Sequence, residues 1–257
     1  MDKEMSLHDI YIASLFNSGG GVDTSDATAT AEDIAAGKTA YANSEKLIGT
    51  LVQNVEFAEG TTDFTGTSGL SGFFAAISKV NIPDGTTSIG DYAFYNCTRL
   101  SSITIPDSVT GIGDFAFEGC TSLASITIPV SVTSIGYKAF YDCSSLESIT
   151  IPNSVTRIGD FAFKGCTSLK SIIIPDSMTR IGASAFEGCT SLSSITIPDS
   201  VTSIGNYALS NTNKLADIYY TGTEEQWNAI NKRSDWNQNM GSNVSGGTVI
   251  HYNYVQG

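Results

Sequence analysis

The sequence predicts an α/β repeat solenoid, a stack of 23-residue coils sharing a parallel β-ladder, capped at both ends and preceded by a small helix and hairpin adaptor. Three observations predict it. All six prolines, Pro83, Pro106, Pro129, Pro152, Pro175 and Pro198, stand 23 residues apart. The five cysteines, Cys97, Cys120, Cys143, Cys166 and Cys189, keep the same step. Charged residues make up only 15% of the chain, against roughly 25% in an ordinary soluble domain, and Ser, Thr and Gly fill the gap. A fixed period in the twenties means that each unit buries its apolar face only against its neighbours.

In chain order, residues 1–21 read as an amphipathic helix and glycine linker. Ser6-x-x-Asp9 is a capping signal, Leu7, Ile10, Tyr11 and Leu15 share one side, and Gly19, Gly20 and Gly21 stop the helix. Such a stripe cannot be buried alone, so it is expected to dock on its own copies, on a partner or on the N-terminal cap. Residues 22–60 read as a helix and hairpin adaptor, with Thr30-x-x-Asp33 opening the helix and a turn near Asn43 and Ser44. Residues 1–60 hold ten acids and three bases and neither proline nor cysteine, which marks a boundary. Residues 61–79, with Phe64, Leu70, Phe73 and Phe74, are expected to cap the stack.

The repeats fill residues 80–217. Units starting at Leu100, Leu123, Leu146, Leu169 and Leu192 follow L-x-S-I-x-I-P-x-S-[VM]-T-x-I-G-x-x-A-[FL]-x-x-[CT]. Leu123, Ile126 and Ile128 describe a short strand stopped by Pro129, which has no N–H for the ladder. Val132 and Ile135 turn inward again. Asp then Ala-Phe-x-x-Cys, as in Asp114, Ala116, Phe117 and Cys120, predicts an N-capped single helical turn. Residues 218–257 predict a closing cap, with Thr223 to Gln226 a capping box for a helix carrying Trp227 and Ile230, and Val249 to Tyr254 alternating like a last strand.

Composition excludes several classes. The net charge of −13 repels phosphate backbones and anionic membranes, so neither nucleic acid nor membrane insertion is expected. His8 and His251 lie near opposite ends, which removes His-based catalysis and clustered His ligands. No apolar run approaches the ~18 residues of a membrane span, and the first residues show no signal peptide. Synthesis and retention in the cytoplasm, or export without a cleavable signal, is expected.

The repeat I-T-I-P-x-S-V-T-x-I-G-x-x-A-F-x-x-C closely resembles the BspA-like (Treponema pallidum type) leucine-rich repeats, over about Val80 to Asp217. The segment from Ile218 through Trp227 to Ile230, with Ile250 to Asn253, resembles the terminal cap of such proteins in gut Firmicutes. The resemblance implies a leucine-rich-repeat solenoid used for binding, commonly in bacterial surface adhesion, without catalysis. Met5 to Ala13, the Gly19–Gly21 tract, Asp26 to Tyr41 and Ile48 to Thr50 are similar to segments of phage and prophage tail proteins. There the hairpin tip is usually Val-Asn-Gly, whereas here it is Ala42-Asn43-Ser44.

Candidate sites follow from columns of equivalent positions. The cysteine column reads as a structural core ladder: an odd count of parallel inward thiols suits packing, and Thr212 in the sixth unit is of similar size. Asp84, Asp107, Asn153, Asp176 and Asp199 follow the prolines, and Asp91, Asp114 and Asp160 precede the Ala-Phe turns. Val130 interrupts the first column and Tyr137 and Ala183 the second, so local turn and helix capping explains both; no metal, cofactor or catalytic residue is assigned. Two surfaces are binding candidates. Thr104, Thr127, Thr150 and Thr196, with Ile173 and the serines beside them, form an outward strand face. Tyr92, Phe115, Phe161 and Tyr207 share one position, joined by Tyr95, Tyr137 and Tyr141, as an aromatic stripe suited to sugar or protein contacts.

The sequence thus predicts a non-enzymatic binding protein. The leading expectation is a phage or prophage tail-fibre or receptor-binding component located in the virion tail. Residues 1–60 would contact other tail proteins and assemble a homotrimer. The alternative is a cell-surface or secreted adhesin of the repeat family. In either case the partner is a cell-surface protein or glycan.

Overall fold

The structure, a computed structural model, describes the strands Asn54–Glu56 and Asp63–Phe64 and residues 79–255 except residue 83. Leu7, Ile10, Tyr11, Leu15 and the predicted hairpin lie outside the described residues.

Each coil crosses two parallel ladders. In the first, Asn54–Glu56, Lys79–Asn81, Ser102–Thr104, Ser125–Thr127 and Ser148–Thr150 form one sheet, and Ser171–Ile173, Ser194–Ile197, Asp217–Tyr220 and Val249–His251 continue as a second. Pairing shifts by one repeat: Ser125 faces Ser148 and Ile126 faces Ile149. Strand geometry turns alternate side chains to opposite faces, so Ile126 and Ile149 are buried while the Ser and Thr flanking each are exposed. The first strand of this ladder, Asn54–Glu56, pairs with Lys79–Asn81, so the ladder starts ahead of the recognisable repeat.

The second ladder is built from two-residue strands. Asp63–Phe64, Ser88–Ile89, Gly111–Ile112, Ser134–Ile135 and Arg157–Ile158 form one sheet; Arg180–Ile181, Ser203–Ile204 and Asn231–Lys232 form another. Its glycines permit close stacking: a Cβ on Gly136 would sit 2.4 Å from the carbonyl carbon of Gly113.

The A-F-x-x-C segments form turns, which corrects the predicted helical turn. Two residues per segment take positive φ, for example Phe115 at 58° and Gly119 at 74°, and a right-handed helix admits neither. Coil-to-coil bonding drives this choice. Phe115 N–H donates to Tyr137 O at 2.8 Å, Phe117 N–H to Ala139 O at 2.7 Å and Gly119 N–H to Tyr141 O at 2.8 Å. The aspartates also differ from the expectation. Instead of capping their own turn they reach one coil on: Asp114 Oδ1 accepts from Tyr137 N–H at 2.7 Å and Asp160 Oδ1 from Ala183 N–H at 2.8 Å.

The core is a set of columns. Phe94, Phe117, Phe140, Phe163 and Phe186 stack with centroids 5.1, 5.2, 5.3 and 5.5 Å apart, and Leu100, Leu123, Leu146, Leu169 and Leu192 are fully buried. The ring spacing follows the strand repeat of about 4.8 Å to within about 0.7 Å, so one apolar choice per coil fills the axis.

The single helix among the described residues, α1 (Glu224–Ala229), belongs to the C-terminal cap. Thr223 and Gln226 form the predicted capping box, and buried Trp227 packs edge-on against Tyr220 and Trp236, with centroids 5.2 and 6.0 Å apart. The cap continues the coil bonding: Leu209 N–H donates to Trp236 O and Asn211 N–H to Gln238 O, both at 2.7 Å. It closes the stack as a degenerate coil.

Candidate functional site

The aromatic candidates divide. Tyr92 stacks on Phe115 with centroids 4.6 Å apart and planes 6° from parallel. Phe115 meets Tyr137 edge-on at 5.2 Å, Tyr137 meets Phe161 edge-on at 5.5 Å, and Tyr95 flanks Tyr92 at 5.7 Å. This row spans four successive coils on the turn face, with Tyr92 38% and Tyr137 37% exposed. Tyr207 stands apart, because Ser184 occupies the aromatic position in the coil before it; it is 41% exposed.

Residues that the aromatic spacing did not flag complete the row. Lys138 Nζ lies 4.7 Å from the Tyr141 ring centre, 5.5 Å from Phe115 and 5.6 Å from Tyr137, and Lys164 Nζ lies 5.6 Å from Phe161. Each such contact is worth about 0.5–1 kcal/mol at an exposed site. Lys164 also pairs with Glu187 at 3.0 Å. Partial burial raises the carboxyl pKa of Glu118, with Lys138 opposing it and Asp142 adding to it. Asp142 is raised for the same first reason, opposed by Lys164 and Lys138. The signal in the sequence was that Lys138 fills the aromatic position of its own coil.

The backbone is strained at the shared aromatic position, though not at Tyr137, whose neighbour Lys138 holds that position with φ of 52°. Tyr92, Phe115, Phe161 and Tyr207 take φ of 58°, 58°, 62° and 57°, in the left-handed region that bulky residues avoid at a cost of about 1–2 kcal/mol. The coil-to-coil bonds hold them there. An αL residue beside a buried Ala-Phe pair throws its own side chain outward, which is how aromatic rings come to line a surface.

On the strand face, Thr104, Thr127 and Thr150 are exposed, as is Ile173. Thr196 is corrected: it is buried, because the adjacent strand places Tyr219 beside it and Tyr219 carries the cap residues His251 and Tyr254 on its ring. The cap narrows this face to the earlier coils.

The cysteine column is internal. All five thiols are free and buried. Cys120, Cys143, Cys166 and Cys189 each donate to the carbonyl of a phenylalanine one coil back, Phe94, Phe117, Phe140 and Phe163, at 3.1–3.2 Å. Burial pushes Cys120, Cys143 and Cys166 well above the usual thiol range and Cys189 up to about 12. A thiol kept protonated at neutral pH by burial is a poor nucleophile and a poor metal ligand. Thr212, in the same column, donates within its own turn to Leu209 O at 2.7 Å. No cluster able to hold a metal ion occurs among the described residues. No helix among them is long and apolar enough to cross a membrane.

A stack of parallel coils with a polar strand face and an aromatic turn face defines a class of repeat proteins. The chain matches the BspA type leucine rich repeat region in six copies, at residues 72–159 and 133–234, more than half its length, and belongs to that family. Among solved structures it is similar to the leucine-rich repeat protein of Treponema pallidum. The identity is 30% and the TM-score 0.57, over 63% of this chain and 77% of that one. It is also similar to a leucine-rich repeat protein from Bacteroides ovatus, at 27% identity and TM-score 0.56, over 78% of this chain and 63% of that one. The chain therefore spans under two thirds of the B. ovatus protein. No curated protein matches it. None of these comparisons supports the likeness of residues 5–50 to phage tail proteins.

Proposed function

We propose that this chain is a non-catalytic binding protein that presents the turn-face row Tyr92, Phe115, Tyr137 and Phe161, with Lys138 and Lys164, to a glycan or protein on a bacterial envelope or host surface. The contiguous rings, exposed at Tyr92 and Tyr137 and half-buried at Phe115 and Phe161, carry this reading: a row of aromatic side chains reaching solvent offers apolar faces to a sugar ring or a protein side chain. Binding of the labelled protein to whole bacteria and epithelial cells tests it. Phe161→Ala with Tyr92→Ala should reduce binding severalfold at unchanged fold, and unchanged binding would overturn the row as the contact surface.

Family membership favours a cell-surface adhesin. The tail-like motifs of residues 5–50 favour a tail-fibre component assembled as a homotrimer through residues 1–60. Light scattering on the full chain and on one lacking residues 1–50 separates the two: a trimer that becomes a monomer on truncation supports the tail-fibre setting, and two monomers support the adhesin.

A further inference from the structure

The outward residue of the second ladder is small in four coils, Ser88, Gly111, Ser134 and Ser203, and arginine in two consecutive coils, Arg157 and Arg180. Between those two coils the ladder opens. At other junctions Thr133 N–H donates to Thr110 O, Thr156 N–H to Thr133 O and Thr202 N–H to Thr179 O, each at 2.9 Å. Likewise Gly136 N–H donates to Ile112 O at 2.8 Å, and Gly159 N–H to Ile135 O and Gly205 N–H to Ile181 O at 2.9 Å. Among the described residues, Thr179 N–H has no such bond to Thr156, nor Gly182 N–H to Ile158, and the two arginine strands do not pair. The backbone atom nearest a Cβ on Gly159 is at 2.5 Å, whereas on Gly182 it is at 3.2 Å.

The turn face stays closed at this same junction, with Phe161 N–H on Ala183 O at 2.8 Å and Phe163 N–H on Ala185 O at 2.9 Å. The two coils are therefore joined at the turn face and parted along the ladders, since the first-ladder strands Ser148–Thr150 and Ser171–Ile173 do not pair there either. Two guanidinium groups one rung apart, about 4.8 Å along the ladder, repel each other. Met178 also replaces the valine of the other units, Val109, Val132, Val155 and Val201, at this position. The opening leaves a cleft of about 150 Å³ lined by Tyr137, Thr156, Arg157, Asp160, Thr179 and Arg180. A cavity of that order holds one six-membered ring.

The charges at the mouth are unequal. Arg180 is paired with Asp160 at 3.0 Å, whose Oδ1 also takes Ala183 N–H. Arg157 has no ion pair or side-chain hydrogen bond among the described residues, and its planar fork matches a carboxylate. Tyr137 lies edge-on to both ring neighbours, at 71° and 68°, and also lines the cleft, so it joins the row to the cleft. The cleft walls offer ladder N–H on one side and ladder C=O on the other, which suits hydroxyls that both donate and accept. We propose that this cleft is a subsite for a carboxylated sugar: the carboxylate sits on Arg157, the ring lies beside Tyr137 and hydroxyls bond to the unpaired ladder groups. The net charge of −13 does not forbid this, because repulsion from acids beyond about 8 Å is screened at physiological ionic strength.

The subsite rests on the reading of the chain as a surface binder. Calorimetric titration of the full chain with a galacturonate oligomer, and with the same oligomer carboxyl-reduced to a neutral galactan, tests it. The acidic oligomer should bind at least about tenfold tighter. Arg157→Gln should abolish that preference while leaving the circular dichroism spectrum unchanged, and Arg157→Lys, which keeps charge without the fork, should restore part of it. Equal binding of the two oligomers, binding of neither, or a preference that survives Arg157→Gln would overturn the subsite. If the neutral oligomer binds and Phe161→Ala weakens it, the recognition row stands and the carboxylate subsite alone falls.

Discussion

At the junction between the Arg157 and Arg180 coils, the turn face keeps its bonds, with Gly165 N–H donating to Glu187 O at 2.9 Å, while the second ladder has lost the Thr and Gly bonds that recur elsewhere. The cysteine column also crosses unbroken, since Cys189 still donates to Phe163 O at 3.1 Å. The two faces share a period and differ in what projects from them. On the turn face, αL residues send both charge and aromatic surface outward, and the backbone beneath can close. On the second ladder, two guanidinium groups stand on adjacent rungs with only one carboxylate between them, and separation of the rungs relieves their repulsion.

This difference should be sharpest at the glycines. Gly136→Ala places a methyl against the Gly113 backbone at 2.4 Å, where nothing flexible can yield, and is expected to cost more than about 3 kcal/mol in denaturant titrations. Gly182→Ala meets Asp160 Oδ1 at 2.7 Å and its nearest backbone atom, Asp160 Cα, only at 3.2 Å, so it should cost about 1 kcal/mol. Equal losses would erase the distinction between a sealed and an open junction.

Alkali should act on the whole axis at once. The thiols of Cys120, Cys143, Cys166 and Cys189 are raised above their unfolded value near 9, Cys189 to about 12. The unfolded chain therefore loses these protons first. The stability they contribute is intact below pH 9 and falls as pH rises through 9 towards 12, by about 1.4 kcal/mol per unit per thiol. Cys189→Ala should make the fall shallower, as read by Tm against pH.

Gly188→Ala isolates backbone strain. The position has φ of 73° and its nearest non-neighbour atom at 3.9 Å, so a cost of about 1–2 kcal/mol would come from the left-handed conformation alone. The smallest effect belongs to Arg157→Ser, which copies Ser134. It should raise stability by no more than about 0.5 kcal/mol, yet slow hydrogen exchange at the Thr179 and Gly182 amides as the rungs close. Amides already protected in the unaltered protein would contradict the open junction.

Much of this architecture could be read directly. The Pro and Cys spacing announced the coil, the S-I-T alternation announced which side chains face in, and Thr223 with Gln226 announced α1. The turn conformation was not legible, because A-F-x-x-C satisfies helical spacing equally well; only coil-to-coil hydrogen bonds select the αL residues. Thr196 was read as surface because its repeat position is outward, and the strand carrying Tyr219 covers it. Arg157 and Arg180 were visible as departures from Ser in one column, but nothing local says that they open a cleft.

The sequence alone determined the period, the inward columns and the family, because one apolar pattern repeated every 23 residues can be buried only by stacking. The tertiary structure decided where aromatic rings meet, which Thr the cap hides and where the ladder parts. Those outcomes depend on residues 23 positions apart lying one rung from each other, an arrangement that exists only once the coils are stacked.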